Sequence, residues 1–238
     1  MRQLRRRRRP TSARRERRTG GQSPRAPRRQ VIVFFAGDPS ATSRLALDEE
    51  CAAVERELRM TAYRDAFEFH SRWAVDVDDI QRSLNELQPT IIHFSGHGAP
   101  CSNAGEASIV VRGVDGKPHH LTGNALAELI RTAAFGVRLV VLNACHTAAM
   151  ANQLCGVVDG VVTMAGAIAD PAARTFAVSL YRALGYMRSV GNAVAQGVAV
   201  LTAFGLPDAQ LPTCVTRSGL APDDLVLLRA DGEPELSE

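Results

Sequence analysis

The chain has 238 residues, of which 45% are hydrophobic and only 5% aromatic. It is therefore long enough for one large domain or two small ones, with a core built from Val, Leu, Ile and Ala. No apolar run approaches the roughly 18–20 residues of a membrane-spanning helix, and the N-terminus lacks the apolar stretch of a secretory signal. The formal charge of +3 conceals an asymmetry: residues 1–30 hold 13 Arg against one acid, Glu16, and sum to +12, which leaves −9 for residues 31–238. Five scattered cysteines without a CxxC pair argue against a disulfide framework or a tetrathiolate zinc site, and for a reducing, cytoplasmic compartment.

Residues 1–30 form an Arg-rich arm with almost no apolar side chains, too few to offset the entropy of ordering them, so the arm is expected to be disordered. It suits contact with nucleic acid or another anionic surface, because arginines on phosphates release counterions. It also fits an organelle transit peptide, the acidic remainder of the chain itself, or an upstream extension without function.

From Val31 the pattern changes. VIVFFAG (31–37) is a continuous apolar run of the kind found in central parallel strands, closed by Gly37-Asp38-Pro39. RLALDEECAAVERELRM (44–60) is a helix, with Leu47, Cys51, Val54 and Leu58 at spacings of 3 and 4. FEFHSRWAV (67–75) alternates as a strand, VDDIQRSLNELQ (77–88) is a short amphipathic helix, and TIIHFS (90–95) is a third strand. Residues 107–121 form a hairpin turning at Asp115-Gly116. A helix over 121–133 is capped by Thr122 or Asn124. VRLVVLNA (137–144) and VDGVVTMAG (158–166) are further strands. Asp170 caps a helix with Pro171 in its first position, running to about Leu184. Another helix spans 189–203, and DDLVLLRA (223–230) is a last strand or an extended tail.

Strands alternating with helices predict an open, mostly parallel α/β sheet, in which ligands bind at the carboxyl ends of the strands. The third strand ends at Ser95-Gly96-His97-Gly98 and the fourth at Asn143-Ala144-Cys145-His146. If these strands are neighbours, a base and a thiol meet at one sheet edge. A Cys beside an imidazole can act as a thiolate nucleophile, and the N–H groups of Cys145 and Gly98 are expected to serve as oxyanion donors.

HFSGHG followed by VVLNAC resembles the Cys-His dyad of the caspase-like, clan CD cysteine peptidases, and most closely the CHAT family. The likeness extends from VIVFFAGDPSATSRLALDEECAAVERELR through FEFHSRWAVDVDDIQRSLNELQPTIIHFSGHG to GVVTMAGAIADPAARTFAVSLYRALGYMRSVGNAVAQG, about residues 31–205. It implies a caspase-like three-layer α/β/α sandwich over residues 31–238, with a mostly parallel central sheet. Cys145 is then the nucleophile and His97 the acid that protonates the leaving amine. The resemblance also implies a protein substrate, cut after a basic residue selected by Asp170 and Asn143. The setting would be a bacterial signalling, defence or cell-death pathway with an activating partner. No tetratricopeptide array is legible here, which leaves activation and target choice unassigned.

Other readings compete. A CHAT-like module could keep the dyad and serve only as an interaction domain, and the arm alone could make this a nucleic-acid-associated protein. No cofactor or metal is expected: His93, His97, Cys145 and His146 match no common ligand spacing. His93 reads as a structural residue, His146 as pointing away from Cys145, and Cys51, Cys155 and Cys214 as core or surface thiols. Cys101 is expected in a loop near His97, exposed and oxidisable.

Overall fold

The structure is a computed structural model that describes residues 29–37, 44–100 and 106–229. Residues 1–28 of the Arg-rich arm, Asp38-Pro39 and Cys101 lie outside the described residues, and the arm's last residue, Gln30, opens the first strand. The chain runs β1 (Gln30–Gly37), α1 (Arg44–Met60), β2 (Phe67–Trp73), α2 (Val77–Leu87), β3 (Ile91–Gly96), β4 (Gly98–Pro100), β5 (Ala107–Arg112) and β6 (Pro118–Thr122). It continues through α3 (Gly123–Ala133), β7 (Leu139–Asn143), α4 (Ala151–Leu154), β8 (Gly160–Met164), α5 (Asp170–Leu184), α6 (Val190–Ala203) and β9 (Pro212–Thr216).

The central sheet has the order β2-β1-β3-β7-β8-β9 and is parallel except for β9. Its inner strands are apolar at almost every position because helices cover both faces. Alternate side chains sort to opposite sides. Val33, Phe35, Ile92, Phe94, Val140 and Leu142 pack with α2, α3 and α4. Ile32, Ile91, Leu139, Val141 and Val162 pack with α1, α5 and α6. The result is the expected α/β/α sandwich. Among the described residues no helix is long and apolar enough to cross a membrane.

Local signals set several helix starts. Asp76 and Asp79 form a reciprocal capping box at α2, and Thr122 and Ser189 accept the N3 amides of α3 and α6.

Three expectations need correction, and the choice left open for residues 223–230 falls to the tail over the residues described there. β2 stops at Trp73 because Ala74 takes a left-handed conformation (φ 49°). Asp170 is the first helical residue of α5 and not its cap; Ala169 holds the cap position, and its N–H is taken by Asp208 Oδ2 at 3.1 Å. The predicted hairpin gains β4, making a three-stranded antiparallel sheet β4-β5-β6. The last strand is β9, antiparallel to β8, whereas residues 223–229 form none. That tail is held instead by buried Leu225, Leu227 and Leu228, by the Val190 N–H donating to Leu225 O, and by Arg138 donating to Val226 O.

Candidate active site

β3 and β7 are adjacent and parallel, with Ser95 opposite Asn143. Each chain then continues two residues past this pair, to His97 and to Cys145. Two tight backbone approaches shape the edge. Gly96 has φ 155°, and a Cβ there would lie 2.6 Å from the Gly37 carbonyl oxygen. Gly98 opens β4 directly against the loop that carries Cys145: a Cβ there would lie 2.0 Å from the Cys145 carbonyl oxygen. Only glycine fits that approach.

The loop after β7 is clamped from below. His146 adopts a left-handed conformation (φ 57°), and its N–H donates to Gly166 O at 3.1 Å. The buried Thr147 hydroxyl donates to Ala144 O at 3.0 Å, with Leu142 O at 3.3 Å, and accepts from the Met164 N–H at 3.1 Å. This ties the Cys145 turn to β8.

The two strand ends open on a pocket of about 130 Å³ whose lining includes His97, Asn143, Cys145 and Asp170. Four of the predicted residues therefore meet in one cavity, with the fifth, Gly98, against the Cys145 peptide. His97 and Asp170 are exposed, Cys145 is half-buried and Asn143 is buried. The Cys145 Sγ lies 3.8 Å from the Ile168 carbonyl oxygen. His146 is exposed and does not line the pocket.

Beneath the pocket lies a residue that sequence reasoning missed. Glu50 of α1 lines the cavity yet is only 4% exposed. Its Oε1 pairs with His93 Nε2 at 3.0 Å and accepts from Asn143 Nδ2 at 2.8 Å, and its Oε2 accepts from Ser95 Oγ at 2.8 Å. His93 stacks on Phe34 with centroids 4.7 Å apart, and its Nδ1 is 3.1 Å from the Tyr181 hydroxyl. His93 is thus structural, as expected. A signal did exist: position 50 is three residues after Leu47 and four before Val54, on the buried stripe of α1. An acid there needed partners.

The other described thiols are poor nucleophiles. Burial raises Cys51 and Cys214 to about 11, and pushes Cys155 upward as well.

The family model described as the CHAT domain matches residues 1–202. No curated protein matches the chain. Among solved structures it is similar to that of a secreted C11 cysteine protease from Bacteroides thetaiotaomicron in complex with an irreversible peptide inhibitor, with a TM-score of 0.56 and 13% identity. The alignment covers 75% of this chain and 59% of that one, so the chain spans about three fifths of that protease. The likeness is one of fold, and the fold is caspase-like.

Proposed function

The chain belongs to the CHAT domain family, and from that premise we propose that it is a cysteine endopeptidase with a Cys145–His97 dyad. Cys145 Sγ attacks the scissile carbonyl and forms a thioester as the peptide C–N bond breaks. The N–H groups of Cys145 and Gly98 stabilise the oxyanion of the tetrahedral intermediate. His97 gives a proton to the departing amine. Water then attacks the thioester, releasing the acid and restoring the thiol. The substrate is a partner protein cut after a basic residue, with Asp170 and Asn143 on the pocket that receives it. The setting is a bacterial cytoplasmic signalling, defence or cell-death pathway in which another protein triggers cleavage.

The observation that carries this reading is the register of β3 and β7. Ser95 opposite Asn143 brings an imidazole and a thiol to the rim of one pocket, each two residues past a paired strand position. The absence of Lys and Arg among the described lining residues favours a cationic side chain there.

The test uses wild type, Cys145→Ala and His97→Ala against a fluorogenic peptide library, beside an irreversible thiol-directed peptide probe. Turnover in wild type that both substitutions abolish supports the dyad. Labelling of Cys145 without turnover identifies a latent enzyme that needs its activator. Neither labelling nor turnover, with candidate partners present, sinks the peptidase reading in favour of an interaction module.

A further inference from the structure

The hydrogen-bond polarity beneath the pocket determines its charge. Tyr181 is fully buried, and among the described residues its hydroxyl has one polar partner, His93 Nδ1. Burial and the nearby Glu50 carboxylate hold the phenol well above its ordinary range, so it keeps its proton. A buried O–H ordinarily donates to the partner it has, which makes Nδ1 the acceptor, without a hydrogen. Nε2 then carries the hydrogen that bonds Glu50 Oε1. Asn143 Nδ2 faces two acceptors, Glu50 Oε1 and Ala173 O at 3.2 Å, which fixes the orientation of its amide. Ser95 adds a third donor to Glu50. Three side chains, His93, Asn143 and Ser95, thus converge as donors on one carboxylate. The floor therefore presents a carboxylate to the cavity, with no Lys or Arg among the described residues that line it.

A second observation is independent of the charge. Asn143 is 3% exposed and lines the same cavity, and its Oδ1 has no hydrogen-bond partner. A buried acceptor left without a donor is costly. Glu50 Oε2, with one donor, also has accepting capacity left. Two acceptors on different side chains match the planar fork of a guanidinium better than the point charge of an ammonium.

Resting on the peptidase reading above, we infer that Glu50, with Asn143 Oδ1, is the specificity-determining floor of this pocket and receives the guanidinium of an arginine preceding the scissile bond. Asp170 contributes less, because it is exposed at the rim and screened by solvent, whereas Glu50 acts from a low-dielectric interior.

The test needs no turnover. Full-length protein is alkylated with iodoacetamide, modification of Cys145 is followed by mass spectrometry, and N-acetyl-argininamide is compared with its uncharged isostere N-acetyl-citrullinamide as protecting ligands. In wild type the arginine compound should protect at least tenfold more strongly. In Glu50→Gln the ratio should fall close to one; in Asp170→Asn most of it should remain. Equal protection by the two compounds in wild type, or none by either, overturns the assignment without requiring any variant to fold. A preserved ratio in a Glu50→Gln protein that melts cooperatively overturns it too. Failure of the peptidase reading looks different: arginine-selective protection persists while wild type cleaves no peptide even with partners.

Discussion

Gly98→Ala tests the approach of the two strand ends most directly. The added Cβ would sit 2.0 Å from the Cys145 carbonyl oxygen, 3.0 Å from its carbonyl carbon and 3.2 Å from its nitrogen. All three are backbone atoms, so no side chain can swing aside. Against a contact optimum near 3.5 Å, the two segments must part by on the order of 1 Å. Overpacking of this kind costs about 1–3 kcal/mol. For a chain of this size that lowers the melting temperature by roughly 2–12 °C. The same displacement moves Cys145 relative to His97 and to the Gly98 N–H, and a misplacement of about 1 Å costs on the order of 100-fold in rate. The assay pairs a thermal melt with kcat/KM on the best peptide, or with the rate of Cys145 labelling. Gly156→Ala is the control: its Cβ would meet only Gln153 O at 3.4 Å, so it should stay within about 0.5 kcal/mol of wild type. A Gly98→Ala protein that melts and reacts like wild type would refute the tight approach, and with it the role given to the Gly98 amide.

Tyr181→Phe removes the donor to His93 Nδ1 and should cost about 1–3 kcal/mol, read as a lower denaturant midpoint with an unchanged slope. Thr147→Val deletes the hydroxyl that ties Ala144 O to the Met164 N–H; it should destabilise by a similar amount, about 1–3 kcal/mol, and slow Cys145 labelling. Cys51 and Cys214, raised to about 11 by burial, should resist alkylation of the native protein at pH 8, where roughly 0.1% of such a thiol is ionised; peptide mapping should find Cys145 modified long before either. Because the folded state holds the protons of these two thiols more tightly than the unfolded chain, their contribution to stability is complete below pH 9 and is lost as pH rises from 9 towards about 11. A Cys51→Ala/Cys214→Ala protein should therefore show a flatter alkaline stability profile.

Much of the fold was legible because a parallel sheet covered on both faces leaves a simple trace. The runs ending in β1, β3, β7 and β8 are short, apolar and closed by small residues, and the helix spacings between them repeat every three or four positions. The strand ends carrying His97 and Cys145 followed from that pattern alone. β9 was missed because an edge strand is half-buried: PTCVT begins with proline and mixes Thr with Val and Cys, so neither a continuous run nor a clean alternation appears. The leucines of DDLVLLRA imitate a strand because they are buried one by one, without ladder bonds. β4 is three residues of Gly, Ala and Pro, and its pairing with β5 follows from the turn at Gly96 rather than from propensity.

The pocket floor was hidden for a different reason. Glu50 is 43 residues from His93, 45 from Ser95 and 93 from Asn143, and in sequence it is one acid of an ordinary amphipathic helix. Its sister on the same stripe, Glu57, shows what such an acid normally does: it is nearly buried and meets Arg182 at 2.6 Å. Glu50 instead meets His93 and Ser95 on β3 and Asn143 on β7, with no Lys or Arg among these partners, at side chains that the pleat turns towards α1. The sheet thus governs the spacing of thiol and imidazole, while the helix governs the charge below them. Substitutions at the strand ends should then decide whether any peptide reacts, and substitutions at Glu50 should decide which one.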